Sequence, residues 1–312
     1  MANRNPAGIS GSGIVNLALV VLLLDMVFAV LIVYLERRNP TVALIWLFLL
    51  FLLPVVGFVL YLLLGRSYPG DERVGFKAGD ALSFDHSVEE QQEGIDRHAF
   101  AFAEAPLNPY LGMVRMLLRN NRALLTRDNC VEIYADGGSA FEAMLAEIGA
   151  AREHVHLEFY IVRNDAFGRR VVSLLAEKAR QGVEVRFLYD AIGGWRLPPG
   201  FFTELKAAGG EVAAYFPFIL PTLNLRLNYR NHRKVAVIDG RAGYIGGLNI
   251  GEEYLGKDPH FGYWRDTHIR ICGSAVHLLQ LRFITDWNRS SKTKMQREPR
   301  YFPPPEKRGR TA

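Results

Sequence analysis

The chain has 312 residues, a formal net charge of +5 and two cysteines, and 49% of its residues are hydrophobic. The positive charge lies mainly in residues 289–312, which hold eight Lys or Arg and two Glu, so the body lacks the broad basic surface typical of nucleic-acid-binding proteins. The cysteines, Cys130 and Cys272, show no metal-ligand spacing and no disulfide framework, and we expect buried free thiols in a reducing compartment.

Two long apolar runs open the chain. Residues 14–35 supply about 20 mostly apolar residues, enough to cross the hydrocarbon core of a bilayer. Residues 41–64 form a second run, in which Pro54 and Gly57 predict a kink. We therefore predict a transmembrane helical hairpin over residues 1–65. A cleaved signal peptide is disfavoured for the first run because no small-residue cleavage pattern follows it.

The hairpin carries one acidic residue in mid-span, Asp25. A carboxylate at that depth costs about 2.5–3.5 kcal/mol on insertion scales. We favour a tolerated polar residue in an interhelical hydrogen bond over a contact with lipid head groups or a partner helix. The Lys and Arg residues that flank the two runs slightly favour cytoplasmic termini.

The rest of the sequence predicts a mixed α/β domain. Residues 66–107 lack periodicity and are predicted to be a linker, and residues 108–288 are predicted to form the domain, beginning with an amphipathic helix. The predicted strands are 131–134, 154–162, 183–190, 211–216, 234–238, 243–245 and 267–272. The predicted helices are 139–152 (with Ser139 as N-cap), 168–181, 199–208 and 274–287. This alternation predicts a mixed sheet sandwiched by helices. Periodicity stops after Trp287, and residues 289–312 are predicted to be a basic, Pro-rich, disordered tail that could touch anionic lipid.

One motif carries chemistry. His232 and Lys234 stand two residues apart at the start of a predicted strand, so their side chains share one face. Lysine can neutralise phosphate oxygens, and histidine can attack phosphorus or transfer a proton near neutral pH. Asp239 follows the strand, where a turn could direct it towards the imidazole, as an orienting carboxylate, or towards a neighbouring strand. The alternative for Asp239 is a simple β-turn residue, and for His232 a hydrogen-bonded loop histidine.

A glycine pair and an amide follow the motif. Gly247, preceded by Gly246, allows close backbone approach, and Asn249 offers an amide donor to a phosphate oxygen.

The segment from Asn228 to Tyr254 resembles the first catalytic motif of the bacterial cardiolipin synthases of the phospholipase D superfamily. The resemblance covers nearly the whole chain up to Trp287. It includes the two apolar runs, residues 155–161, 182–186 and 189–193, Trp264–His268 and Asp286-Trp287.

The resemblance implies phosphatidyl transfer without a metal or other cofactor. A histidine attacks the phosphorus of phosphatidylglycerol, and a phosphohistidine forms. A second phosphatidylglycerol then accepts the phosphatidyl group, giving cardiolipin and glycerol. His232 would be the nucleophile or its acid–base partner, Lys234 the phosphate clamp, Asp239 the orienting carboxylate and Asn249 a second phosphate contact. The resemblance also implies a bacterial inner-membrane, multi-pass protein with its soluble domain in the cytoplasm.

The family carries the motif twice, whereas this sequence contains it once. Three interpretations follow: an enzyme that pairs two copies of the chain or takes a complementary second half-domain, an N-terminal portion that is inactive alone, or a non-catalytic protein that binds lipid phosphate. A membrane-anchored phosphodiesterase is the alternative chemistry.

Overall fold

A computed structural model of the chain describes residues 11–35, 40–61, 78–97, 105–215 and 230–305. Contacts divide the chain into two compact units. One comprises Met1–Gly70 with Ile219–Tyr229, and the other comprises Asp71–Phe218 with Arg230–Ala312.

Among its described residues, the first unit contains three helices: α1 (Gly11–Leu35), α2 (Pro40–Leu52) and α3 (Val56–Leu60). The interruption between α2 and α3 lies at Pro54, as expected from a residue that cannot donate a backbone hydrogen bond. Asp25 Oδ1 accepts a hydrogen bond from the Val55 N–H at 2.9 Å, which gives this carboxylate a partner inside the unit. Over the residues that the structure describes, no helix meets the combined length and apolarity required of a membrane span.

The second unit is a seven-stranded mixed sheet with helices on both faces, and this agrees with the predicted fold class. Its strands are β1 (Cys130–Asp136), β2 (His154–Phe159), β3 (Glu184–Asp190), β4 (Glu211–Tyr215), β5 (Lys234–Ile238), β6 (Ala242–Gly246) and β7 (Arg265–Cys272). Its helices are α4 (Ala78–Asp96), α5 (Leu111–Asn121), α6 (Gly137–Ala150), α7 (Ala166–Arg180), α8 (Thr203–Ala207) and α9 (Ala275–Ser290). Short 3₁₀ turns lie at Ala105–Tyr110, Glu252–Leu255 and Pro299–Tyr301.

The strands lie in the order β1-β7-β6-β5-β2-β3-β4. β2, β3 and β4 run parallel to one another, and every other neighbouring pair is antiparallel. β2 and β5 occupy central positions, and all their residues are buried. A strand covered on both faces needs apolar residues throughout, which explains why the sequence of β5 (KVAVI) does not alternate.

The two faces of the sheet have separate cores. On one face, Val155, Leu157 and Phe159 of β2 pack in the large cluster that includes the apolar stripes of α6 and α7. On the other face, α9 contributes Phe283 and Trp287 to a second cluster. Successive side chains of a strand point to opposite faces. The even-numbered residues of β2, which are His154, His156 and Glu158, therefore lie on the α9 side of the sheet.

Several helices start where a side chain satisfies their free N–H groups. The N-cap of α6 is Asp136, whose carboxylate accepts from Ser139 N at 2.9 Å. The prediction of Ser139 as the N-cap was therefore wrong by three residues. Asp165 caps α7 in the same way through Gly168 N at 2.7 Å. Such caps leave fewer unpaired amides at a helix start.

The segment predicted to be a linker, 66–107, contains a helix. α4 packs against α5 through Val88, Ile95, Val114 and Leu118. The Gln91 side chain also pairs with both backbone groups of Leu125, at 2.9 and 3.0 Å. The linker prediction was wrong here because the apolar residues of α4 are too sparse to show a period. Residues 66–77 and 98–104 lie outside the described part.

The predicted disordered tail is also wrong up to residue 305. α9 continues to Ser290, and the chain then folds back onto the sheet. Trp287 Nε1 donates to Thr293 O at 3.0 Å, and Met295 and Tyr301 are buried. Aperiodic segments can be held by a few buried anchors, and such anchors leave no periodic signal. Residues 306–312 lie outside the described part.

The cysteines are not free thiols in this structure. Cys130 of β1 lies directly opposite Cys272 of β7. Their Cα atoms are 5.1 Å apart, and a disulfide joins them. This distance is within the usual range for a disulfide. The expectation of two separate thiols was wrong because strand pairing brings together residues that are 142 positions apart in sequence.

Candidate active site

Several strands begin or end together at one edge of the sheet. β2 ends beside the start of β5, since Phe159 lies opposite Lys234. β3 runs parallel to β2 and ends there too. β6 ends beside the first part of β7, where Gly246 lies opposite His268. The residues just before β5, including His232, lie at this margin, which we call the His232 edge.

His232 is exposed and stacks on Tyr160, the residue that follows β2. The two ring centroids are 3.8 Å apart, with 29° between the planes. Partial burial lowers the pKa of His232, and the charge of Lys234 lowers it further, while Asp190 opposes the shift. A lowered pKa keeps the imidazole neutral at neutral pH, which leaves a nitrogen lone pair available for nucleophilic attack.

Lys234 lies under the same aromatic ring. Its side chain is buried, Nζ is 5.3 Å from the centre of the Tyr160 ring, and it donates to the backbone oxygen of His232 at 2.6 Å. Burial lowers the pKa of Lys234, while the carboxylate of Asp266 opposes that shift. The structure thus brings His232 and Lys234 together, as their spacing in the sequence predicts.

The residue before His232 is held at both its backbone and its side chain. The Asn231 N–H donates to Asp190 Oδ2 at 3.0 Å. The Asn231 side-chain amide donates to Glu158 of β2. Asp190 and Glu158 are themselves 1% exposed, so these anchors lie within the domain. Two buried carboxyl groups therefore fix the position of the backbone just before His232.

The residue after His232 is held by a third carboxyl group, that of Asp286. Arg233 Nη1 donates to Asp286 Oδ2 at 3.0 Å, and Asp286 also accepts from Arg282 Nε at 2.7 Å. Burial raises the pKa of Glu158 well above its usual value, and the negative charge of Asp286 raises it further. Burial and Asp286 thus favour the protonated form of Glu158, and Asp286 is the carboxyl group that accepts from the two arginines.

Asp239 is not near the imidazole. Its carboxylate accepts hydrogen bonds from three successive backbone N–H groups, those of Arg152, Glu153 and His154, at 2.8 to 2.9 Å. These residues lie at the opposite end of β5 from His232, and the intervening strand separates the two side chains by roughly 20 Å at about 3.3 Å per residue. The expectation of an orienting role for Asp239 is thus corrected: the carboxylate joins the turn after β5 to the start of β2.

Asn249 and Gly247 are also engaged within the protein. Asn249 is buried, its Oδ1 accepts from Ile161 N at 2.9 Å, and its Nδ2 donates to the Tyr254 hydroxyl at 3.1 Å. The Gly247 N–H donates to Thr267 O at 3.0 Å. A Cβ on Gly247 would lie 2.0 Å from Asp266 Oδ1, so this glycine makes room for a carboxylate. Both residues therefore help to shape the His232 edge, and their contact with a substrate phosphate stays a prediction.

Sequence reasoning missed four residues of this arrangement: Tyr160, Glu158, Asp190 and Asp266. Glu158 and Asp190 had a detectable signal, because each is an acid in a strand otherwise expected to be buried, and buried acids need partners. Tyr160 and Asp266 had none in the sequence, because their proximity to Lys234 depends on strand register.

Two known protein families match parts of this chain. Residues 18–66 match the family described as phospholipase D-nuclease N-terminal, and residues 144–259 match the family described as cardiolipin synthase, PLD-like domain. A cardiolipin synthase of Listeria welshimeri is 42% identical over 297 residues, covering 95% of this chain and 62% of the relative.

Two further similar proteins are also cardiolipin synthases. The major cardiolipin synthase of Bacillus subtilis is 42% identical over 269 residues, which cover 86% of this chain and 56% of the relative. Cardiolipin synthase 2 of Staphylococcus epidermidis is 43% identical over 292 residues, which cover 93% and 60%. The chain thus spans less than two thirds of the length of the relatives it matches.

Proposed function

This chain belongs to the family of the bacterial cardiolipin synthases in the phospholipase D superfamily, and we propose that it supplies one half of a phosphatidyltransferase active site. The proposed reaction joins two phosphatidylglycerol molecules to give cardiolipin and glycerol. The observation that carries the proposal is the pairing of His232, with its lowered pKa, and Lys234 beneath the Tyr160 ring at an exposed edge of the sheet.

In the first step, an imidazole nitrogen of His232 attacks the phosphorus of one phosphatidylglycerol. A nitrogen–phosphorus bond forms, the bond from phosphorus to the glycerol oxygen breaks, and the leaving oxygen takes up a proton as glycerol departs. The ammonium of Lys234 stabilises the charge that builds on the phosphate oxygens. In the second step, a hydroxyl of another phosphatidylglycerol loses its proton and attacks the phosphohistidine, which releases cardiolipin and free imidazole.

Both steps need a second acid–base group to deliver and remove these protons. The sequence contains one His-x-Lys-x4-Asp motif, and we propose that the second group comes from another copy of this chain or from a complementary half-domain. Glu158, Asp190 and Asp286 support this division of roles, since their bonds to the neighbours of His232 fix the nucleophile without occupying its ring.

The first unit is proposed to hold the enzyme in the bacterial inner membrane as a two-span hairpin over residues 1–65, with the second unit in the cytoplasm. Three observations support membrane association. α1 is 25 residues long with one acidic residue, many of its large side chains, such as Leu23 and Val30, are exposed, and Asp25 is paired inside the unit. A lipid substrate also requires the site to work close to a bilayer.

The proposal is tested with the full chain reconstituted in vesicles that contain phosphatidylglycerol. We expect cardiolipin and glycerol in equal amounts, and we expect both products to be lost in His232→Ala. Phosphatidic acid with glycerol, in place of cardiolipin, would establish the alternative phosphodiesterase. If the chain makes neither product at any density but gains activity on addition of a separately expressed second half, the chain is one half of the enzyme. If neither arrangement is active, the proposed transfer is wrong.

A further inference from the structure

Three large aromatic side chains stand out from the His232 edge. Trp195, Phe261 and Tyr263 are 64%, 51% and 71% exposed. Trp195 lies in residues 191–202, which follow β3, and the other two lie in residues 256–264, which precede β7. Because β3 ends and β7 begins at the His232 edge, both loops leave the sheet on the side where the imidazole is exposed.

The strand order places the loops that carry these aromatics on either side of β5. β5, which His232 precedes, lies two strands from β3 and two strands from β7. With neighbouring strands about 4.8 Å apart, each loop arises roughly 10 Å from the line of β5. The loop that carries Trp195 therefore arises on one side of β5, and the loop that carries Phe261 and Tyr263 arises on the other.

Both loops pack against residues of the domain behind them. Behind Phe261, the Trp264 ring lies edge-on to Phe261, with centroids 5.7 Å apart, and to the buried Tyr254, with centroids 4.9 Å apart. Gly194, next to Trp195, touches the Tyr189 ring so closely that a Cβ would lie 2.6 Å from it. The exposed rings are thus presented by supported turns, which lowers the entropy lost when they bind a surface.

The charges around these rings suit an anionic surface. The Arg196 guanidinium lies over the Trp195 ring, 4.9 Å from its centroid. Residues 191–202 and 256–264 together hold Arg196 and Lys257 against a single acid, Asp258. Tryptophan and tyrosine with nearby basic residues are the side chains that favour the head-group region of a bilayer.

We infer that Trp195, Phe261 and Tyr263 form a rim that enters the head-group region of an anionic phospholipid bilayer and holds His232 at its surface. The inference rests on the proposed lipid substrate and adds the means by which the site reaches it. A substrate that stays in the bilayer can present its phosphate only at the head-group level. Rings on both sides of His232 would set the imidazole at that depth.

The test uses the full chain in phosphatidylcholine vesicles containing phosphatidylglycerol brominated near the head-group end of its acyl chains, since bromine quenches tryptophan only at short range. The difference in emission between the wild type and Trp195→Phe isolates Trp195. We expect this difference signal to fall at least about twofold in brominated vesicles. An unchanged signal, whether Trp195 faces water or a second copy of the chain, would overturn the rim.

Trp287→Phe is the matched control. Trp287 is fully buried in the domain, so its difference signal should be the same with and without bromine. His232→Ala should keep the quenching of Trp195, since the rim acts without chemistry. Quenching with no cardiolipin formed, even after a separately expressed second half is added, would leave the rim standing and refute the proposed reaction, whereas cardiolipin formation without quenching would do the reverse.

Discussion

At the scale of single residues, the site is a neutral imidazole and a buried ammonium under one aromatic ring. Tyr160 contacts both groups, and Lys234 donates to the backbone of His232. The charge of Lys234 therefore acts on His232 and lowers the tendency of the imidazole to hold a proton. For a nucleophilic histidine this coupling is useful, because only the neutral ring can attack phosphorus.

We predict that Lys234→Met raises the pKa of His232, because the substitution removes a nearby positive charge that disfavours the imidazolium. The pKa can be followed through the pH dependence of His232 modification by diethyl pyrocarbonate, quantified by mass spectrometry of its peptide. Modification requires the neutral ring, so its midpoint should move to higher pH. A midpoint that stays in place would show that the two groups are not coupled.

The buried acids behind the site should respond differently to neutralisation. Burial and the charge of Asp286 raise the pKa of Glu158 and so favour its protonated form, so the isosteric Glu158→Gln should change the free energy of unfolding by less than about 1 kcal/mol. Asp286→Asn leaves Arg233 and Arg282 without their anion and should cost about 3 kcal/mol. Thermal unfolding followed by circular dichroism compares the two variants. Equal losses would contradict the different roles of the two acids, one paired with an amide and the other with two arginines.

At the scale of elements, β5 links two different sites. Its start carries His232 and Lys234, and the turn after it carries Asp239, whose carboxylate holds three N–H groups before and within β2. Asp239 also has φ 51, a left-handed conformation that Asn and Asp tolerate better than most residues. The motif thus contains two residues of the candidate site, His232 and Lys234, and one structural residue, Asp239. The length of β5 separates Asp239 from the other two.

Asp239→Asn should therefore reduce stability more than it affects the imidazole. The amide keeps one acceptor oxygen and the left-handed conformation, so the expected loss is about 2 kcal/mol in the free energy of unfolding. The pKa and reactivity of His232 should be unchanged in the folded protein. A shifted His232 titration in this variant would restore the orienting role that the sequence suggested.

Two buried histidines, His154 at the start of β2 and His268 in β7, also predict sensitivity to acid. Burial lowers the pKa of His154 to about 3 and that of His268 to about 4. Both are neutral when folded but bind a proton near pH 6.5 when unfolded, so stability is full above pH 6.5 and falls as the pH drops towards these values. The loss by pH 5 should be about 2 kcal/mol for each histidine.

This acid loss can be measured by denaturant unfolding at pH 7 and pH 5. His154→Gln removes one titrating group, so its loss between the two pH values should be smaller by about 2 kcal/mol. An equal loss in wild type and variant would mean that His154 does not titrate on unfolding. Glu184, whose pKa is lowered by its bonds to His156 and Tyr301 despite the opposing effect of burial, adds to the same trend at lower pH.

Among the elements, the strands and long helices of the second unit were predictable, because their apolar residues follow simple periods. α7 and β3 begin and end within a few residues of their predicted bounds. α4 and the folded segment after α9 were missed. Their contacts depend on isolated anchors, such as Gln91 on the backbone of Leu125 and Tyr301 on Glu184, which leave no periodic pattern.

At the scale of the whole molecule, the disulfide favours an oxidising compartment, whereas the proposed location of the second unit, the cytoplasm, is reducing. Cytoplasmic thiols are normally kept reduced, whereas disulfides persist in oxidising compartments. Cys130 and Cys272 are bonded across β1 and β7. The redox state of this pair in cells therefore bears directly on the side of the membrane that the second unit occupies.

With the second unit in the cytoplasm, we predict that both thiols are found reduced in cells, while the purified protein forms the bond on oxidation. Alkylation of acid-quenched cells before and after reduction, followed by a mass shift on gels, counts the free thiols. Cys130→Ser provides the matched control with one thiol. A bond present in cells before lysis would contradict the cytoplasmic placement and would favour an extracytoplasmic second unit.

The sequence by itself determined the alternating strands and helices, the pairing of His232 with Lys234 on which the proposed phosphate chemistry rests, and the resemblance to cardiolipin synthases, because these depend on residue types at short spacing. Only the tertiary structure decided which groups meet across long separations. It placed Asp239 on residues 85 to 87 positions away, joined cysteines 142 positions apart, and brought Tyr160 over the site. Such contacts are set by strand order and register, which local patterns do not specify.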